Sequence, residues 1–271
     1  IRMTFRPSSH ALPAAALSLI VACSGGSSER NPLLPAGGTP GGADQWQPPA
    51  EPEAGSPVAI HGQLQVQDGN LVDQAGMPIQ LKGVSTMWLN WEQNYASSKD
   101  GLRWLRDNWG LSVIRAAMGI EPNGAYLNNP TLMEAHVRTV VRNAIDLGVY
   151  VIIDWHDHNA HSHTQQANDY FAAAAEEFGQ YPNVFYETYN EPEQVTWADV
   201  VKPYHETVSA TIRAIDPDNV IILGTPLWSQ AVDAAAGDPV SGTNLMYTVH
   251  FYSCEHRDAQ RARALAARQR Q

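Results

Sequence analysis

The 271-residue chain is 44% hydrophobic and 17% charged, the composition of a globular protein with enough apolar residues for a sizeable core, which excludes disorder throughout. Twenty-eight acidic against 17 basic residues give a formal net charge of −11 at pH 7, which argues against nucleic acid as a partner because phosphate backbones demand a basic face. The length suits one large α/β unit and does not require two.

The chain opens on a segment that reads as targeting sequence. After Arg2 and Arg6 comes "ALPAAALSLIVAC", an apolar run too short for the ~20 residues of a spanning helix, so residues 1–23 read as a signal peptide. Its end, Ile20-Val21-Ala22-Cys23, resembles a bacterial lipoprotein box, which implies lipidation of Cys23, export to the cell envelope or beyond, and membrane contact through that anchor only. Cys254 is the other cysteine, so no disulfide framework follows. Residues 24–57 hold seven Gly, seven Pro and four Ser, a composition that cannot offset its ordering entropy by burial and predicts a tether.

The folded part is expected over residues 58–271. "LQVQDGNLVD" alternates about Asp68-Gly69 and predicts a hairpin, read as a small lid on one end of the domain. Six short apolar runs follow: "IQLKGVS", "SVIRAAM", "VYVIIDW", "VFYETYN", "VIILG" and "NLMYTVHFY". Several are apolar on both faces, as parallel strands covered on each side must be, and they recur at the spacing of βαβ units. Helices are expected between them. Thr131 to Leu147 carries one apolar stripe and stops at Gly148, and Trp197, Val200, Val201, Tyr204, Val208, Thr211, Ile212 and Ile215 recur at three- and four-residue steps. The alternation predicts α/β architecture. No glycine-rich phosphate loop follows the first strand, so a TIM (β/α)8 barrel is favoured over a nucleotide-binding sheet, with six of its eight strands in this chain.

Polar side chains stand at the carboxyl ends of these strands, where a barrel places its active site: Arg115, then Asp154, His156 and His158, then Asn190 and Glu191, then His250 and Tyr252. For Asn190-Glu191-Pro192 a plain alternative is a helix start, with Asn190 as cap and Pro192 at the first helical position. That alternative leaves the polar residues at the other strand ends unexplained. His156, His158, His161 and His163 raise the question of a metal, but their spacing is not that of a zinc motif, so no metal is assigned.

Taken together, "YNEP", "RAAM", "DWH" and "HFY", with "GVSTMWLNW" and "GTPLWSQ", resemble glycoside hydrolase family 5, and most of all its bacterial endoglucanases (cellulases), over about Ile60 to Tyr252. The resemblance implies a retaining endo-β-1,4-glucanase that needs no cofactor and acts on β-1,4-glucan, expected as a monomer. It implies Glu191 as general acid/base, a task suited to a raised carboxyl pKa. Asn190 then meets the sugar 2-hydroxyl, and Arg115 holds the nucleophile ionised. His156 and His250 are flanking hydrogen-bond donors, Tyr252 stands beside the nucleophile, and Trp91 and Trp228 are sugar platforms. The family's nucleophile, a glutamate in a motif resembling "TEWG", has no counterpart here, and neither Asp154, Asp157 nor Glu255 is assigned its place. The chain is therefore read as cut short before its seventh strand, its last residues forming a basic, alanine-rich helix. A β-mannanase of the same family and a noncatalytic glucan-binding surface protein are the alternative readings.

Overall fold

The computed structural model describes residues 46–93, 97–253, 255–256 and 258–269; the signal-like segment with Cys23 and most of the tether lie outside the described residues. Helix α1 (Pro57–His61) is capped by Ser56, whose hydroxyl accepts from the Ala59 N–H. Strands β1 (Gln65–Gln67) and β2 (Asn70–Val72) pair antiparallel across the expected turn. Asp68 and Gly69 both have positive φ, 48° and 68°, as a type I′ hairpin turn requires.

Six strands then form one sheet in sequential order: β3 (Gly83–Ser85), β4 (Val113–Gly119), β5 (Tyr150–His156), β6 (Val184–Glu187), β7 (Val220–Leu223) and β8 (Leu245–Tyr247). Every neighbouring pair is parallel, so each connection is a crossover. Helices fill the crossovers: α2 (Lys99–Trp109), α3 (Pro130–Asp146), α4 (Thr164–Phe178), α5 (Lys202–Arg213), the short α6 (Pro226–Ser229) and α7 (Val232–Gly237). Helix α8 (Asp258–Arg268) follows β8 and is the expected basic helix. The stripe expected from Trp197 begins as a π-helical turn, Trp197–Val201, before α5. Among the described residues β3 and β8 are the sheet's two edges and do not pair with each other, so the architecture is an α/β barrel segment of six parallel strands. No helix among the described residues is long and apolar enough to cross a membrane.

Side chains alternate faces along a strand, and this period positions the site. One face carries Ile114, Ala116 and Met118, Val151, Ile153 and Trp155, and Tyr186, packed against the helices. The other carries Val113, Tyr150, Ile152, Phe185, Val220 and Ile222, packed against Val58, Leu64, Leu71 and Leu81 of the N-terminal segment. The hairpin therefore plugs the strands' amino ends; Val66 N–H donates to Asn244 Oδ1 just before β8. Continuing the inner face toward the carboxyl ends reaches Arg115, Asp154 and Glu187.

The expected tether boundary shifts. Trp46 packs edge-on against Tyr181 at 6.0 Å, lies under the Arg142 guanidinium at 4.8 Å and donates to Asp146 Oδ1 at 3.1 Å. Glu53 pairs with Arg103 and Arg106. The folded unit thus reaches back to Trp46, because an indole and a carboxylate inside the Pro/Gly-rich stretch find partners on α2, α3 and the α4–β6 connection.

Candidate active site

The floor of the site is a charge cluster set by strand register. Asp154 on β5 stands directly opposite Glu187 on β6, both inward. Like charges in that position repel, and Arg115 from β4 lies between them. Arg115 Nε and Nη2 reach the two oxygens of Glu187 at 2.6 and 3.1 Å, and Nη2 also meets Asp154 Oδ2 at 2.8 Å and Asn190 Oδ1 at 2.8 Å. All four side chains are buried. Burial pushes Asp154 up, to about 7, against the pull of Arg115, and it raises Glu187 for the same reason. Burial alone would lower Arg115; Asp154 and Glu187 outweigh it and hold the guanidinium firmly charged. Glu187 is absent from the sequence reading, although one acidic residue inside the buried run "VFYE" is the signal that finds it. Arg115, expected to hold a nucleophile, spends most of its donors on Glu187, Asp154 and Asn190.

His156, the last residue of β5, has Nδ1 2.5 Å from Asp154 Oδ2 and 3.2 Å from Arg115 Nη1. Burial, followed by the Arg115 charge, holds its imidazole well below the usual range, so it is neutral at pH 7. Trp88 covers it edge-on at 4.5 Å, stacks on His158 at 6.1 Å and stacks on Trp91 at 4.7 Å with planes 12° apart. Trp91 is 57% exposed, as a platform would be, but Trp88, not singled out in the sequence, connects it to the strand ends.

Glu191 lies beyond the end of β6. No helix starts at Pro192, and the next one begins at Trp197, so the helix-start alternative does not hold. His250 Nδ1 donates to Glu191 Oε1 at 2.7 Å, and His158 Nε2 lies 4.0 Å from its other oxygen. Burial pushes the carboxyl up, but the His250 hydrogen bond and the charges of His250 and His158 outweigh it and leave Glu191 below its ordinary value. The raised value expected of an acid is thus not met in the unliganded site. His250 and Tyr252 stand after β8, which ends at Tyr247, and not on it as the apolar run suggested. Together with Glu191, Trp228, Gln230, Phe251, Glu255 and His256 they line a cavity of about 260 Å³.

The structure therefore gathers Arg115, His156, Asn190, Glu191 and His250 at one end of the sheet, puts Trp228 and Tyr252 on the wall beside Glu191, and leaves Trp91 outside that cavity, stacked on Trp88. The histidines suspected of sharing a metal diverge: His161 Nδ1 bonds the Tyr189 hydroxyl at 2.9 Å and His163 Nδ1 bonds Asp157 Oδ2 at 2.9 Å. Glu121, Asp157 and His163 bring ligand-type atoms within 4.8 Å of one another, but Glu121 is exposed and the other two already bond each other.

Residues 72–270 match the family model described as Cellulase (glycosyl hydrolase family 5). The matched region extends past Tyr252 into α8, beyond the stretch whose motifs carried the resemblance. The chain is 47% identical to an endoglucanase of Clostridium saccharobutylicum over 75% of this chain and 46% of that protein, and 44% identical to endoglucanase 5 of Pectobacterium carotovorum subsp. carotovorum over 74% and 40%. It spans about half the length of the curated relatives it matches. Among solved structures, a Cytophaga hutchinsonii protein superposes with a TM-score of 0.77 at 41% identity, covering 79% of this chain and 70% of that one. The catalytic domain of a Thermobifida fusca endoglucanase, solved in complex with cellotetraose, superposes with a TM-score of 0.74 at 35% identity, covering 79% and 73%. With a barrel segment whose strand ends carry this cluster, and with matches of this extent, the chain belongs to glycosyl hydrolase family 5, the cellulase family.

Proposed function

We propose that this chain carries the acid/base half of an endo-β-1,4-glucanase that cleaves internal β-1,4-glucosidic bonds with retention. The observation that carries the reading is Glu191: a part-exposed carboxyl on the wall of a cavity, bonded by His250 and next in the chain to an amide locked on Arg115. In the first step Glu191 protonates the departing glycosidic oxygen; in the second it takes a proton from water. Its side chain is still 26% exposed, so a sugar seated over it displaces water and pushes the carboxyl up toward the protonated form. Asn190, held by Arg115, meets the 2-hydroxyl in this reading, and Trp91 and Trp228 stack on sugar rings. The attacking carboxylate is assigned to none of the described residues, because Asp154 and Glu187 are buried and committed to Arg115. The cellotetraose bound to the similar Thermobifida fusca domain supports β-1,4-glucan as ligand class. Export with lipidation at Cys23, and action as a monomer, complete the proposal.

The test is Glu191→Gln in the protein carrying its whole domain, assayed on carboxymethylcellulose and on aryl cellobiosides. Turnover of substrates with poor leaving groups should fall by several orders of magnitude, while those with good leaving groups lose far less in the first step. Equal rates on both would remove Glu191 from the acid role, and a preference for mannan over cellulose would replace the substrate.

A further inference from the structure

The peptide unit joining Asn190 to Glu191 is held at both ends. Its carbonyl, on Asn190, accepts from Ser229 Oγ at 2.7 Å, and its N–H, on Glu191, donates to the Asp157 carbonyl at 3.3 Å. Ser229 is fully buried and has two further partners: Thr225 N–H donates to its hydroxyl at 3.2 Å, and its carbonyl accepts from His250 N–H at 2.8 Å. One side chain and its backbone thus tie together the ends of β6, β7 and β8. The backbones of the two residues that bond each other through side chains, Glu191 and His250, are joined through Ser229.

The conformation needed for this is strained. Leu227, Trp228 and Ser229 have φ of 59°, 56° and 56°, in the left-handed region that side chains with a Cβ disfavour. Three such residues in succession persist only where their surroundings over-determine them. Here the surroundings are the segment after Glu191: Leu227 N–H donates to the Glu193 carbonyl at 2.9 Å and Trp228 N–H to the Pro192 carbonyl at 2.8 Å. Residues 190, 192 and 193 are all bonded to one left-handed turn.

We propose that Ser229 is a positioning residue: through its hydroxyl on Asn190 and its carbonyl on His250, it sets the distance and angle of the Glu191–His250 hydrogen bond. The proposal deepens the reading of Glu191 as acid/base and rests on it, but its test needs no turnover. The charged and titratable groups around Glu191 are His250 from the β8 end, with Tyr252, Glu255 and His256 beyond it on the cavity wall, His156 and His158 from the β5 end, Arg115, Asp154 and Glu187 on the floor, and Glu193 near His158.

Ser229→Gly keeps the left-handed turn at no steric cost and deletes the hydroxyl, so it should fold. In the 271-residue chain carrying carbon-13 at glutamate carboxyls and histidine rings, its Glu191 midpoint should rise by about half a pH unit or more as the His250 hydrogen bond loosens. Ser229→Ala should do the same. Tyr186→Phe, which removes a buried hydrogen bond to Asp216 elsewhere on β6, should leave the Glu191 titration unchanged. Superimposable wild-type and Ser229→Gly titrations would overturn the proposal, as would an equal shift in Tyr186→Phe. Should both Ser229 variants fail to fold, wild-type hydrogen exchange decides: Glu191, Trp228 and His250 amides should exchange as one slow group, and loop-like rates at Glu191 and His250 overturn it. A chain that shows these shifts yet forms part of no glucanase leaves the positioning role standing and removes only the activity assigned above.

Discussion

Arg115 grips Glu187 through two hydrogen bonds, Nε to Oε2 at 2.6 Å and Nη2 to Oε1 at 3.1 Å, inside a core where neither side chain is more than 3% exposed. Asp154 shares the same cation, so one guanidinium serves two buried carboxyl groups. Arg115→Met should therefore cost about 3 to 5 kcal/mol, the penalty of stranding buried charge rather than the worth of the pair. Arg115→Lys should recover little of it, because a point charge cannot span both oxygens of Glu187 and Asp154. Urea unfolding measures both, and a loss under about 1 kcal/mol in Arg115→Met would mean that the cluster is not buried as described.

The same cluster sets a pH dependence. Burial raises the folded-state value of Asp154 from 3.8 to about 7, so the folded protein holds a proton there that the unfolded chain gives up. Stability from this group is fully present below about pH 4 and declines as the pH rises toward 7, with a slope bounded by about 1.4 kcal/mol per pH unit for one proton. Glu187 acts in the same direction. Asp154→Asn should flatten this part of the stability curve. An equally steep curve in the variant would assign the slope to other groups.

Much of this arrangement is legible in the sequence, and the remainder is hidden for identifiable reasons. Apolar runs gave six strands in order because parallel strands buried on both faces have a simple signature. Arg115, His156, Asn190, Glu191 and His250 were legible as polar residues at strand ends. Glu187 was hidden by register: only pairing β5 with β6 shows that it faces Asp154. The direction of the Glu191 shift was hidden because it depends on His250, 59 residues away. Ser229 was hidden because a left-handed turn of non-glycine residues has no local signature. Trp46 was hidden by its Pro/Gly-rich neighbours, although the partners that hold it lie on the folded domain.

Glu191 and His250 form the second pair with a measurable consequence. Burial pushes the carboxyl up and the imidazole more than offsets it, so removing His250 should let burial prevail. In His250→Ala the Glu191 carboxyl should titrate higher, followed by carbon-13 NMR. The sign for stability follows: a depressed carboxyl contributes stability above its unfolded value that is lost as pH falls through the folded one, and His250→Ala should lack that contribution. A Glu191 midpoint unmoved by the substitution would mean that His158 holds it down.

Trp46 tests where the folded unit begins. Its indole packs on Tyr181, accepts the Arg142 cation on its face and donates to Asp146. A partly buried aromatic with these contacts should contribute about 1 to 2 kcal/mol. Trp46→Ala should lower the urea midpoint accordingly, and starting the chain at residue 58 should cost more, since it also removes the Ser56 cap and the Glu53 pairs. A chain beginning at residue 58 that is as stable as the longer one would return residues 46–57 to the tether.

Trp88 and Trp91 should separate under substitution because they stack on each other but differ in what lies behind them. Trp91 is 57% exposed and touches Trp88; Trp88 also meets His156 and His158 at the strand ends. If the outer ring carries a sugar, Trp91→Ala removes a platform and little else. Cellotetraose binding, followed by quenching of the remaining tryptophans, should weaken about fivefold, close to 1 kcal/mol, with the thermal midpoint nearly unchanged. Trp88→Ala removes the support of the outer ring and the cover over a neutral, buried His156 together. Binding and stability should both fall, and water reaching His156 should raise its midpoint toward the ordinary range. Unchanged binding in Trp91→Ala, with loss in Trp88→Ala, would place the sugar on the inner ring and make Trp91 a packing residue.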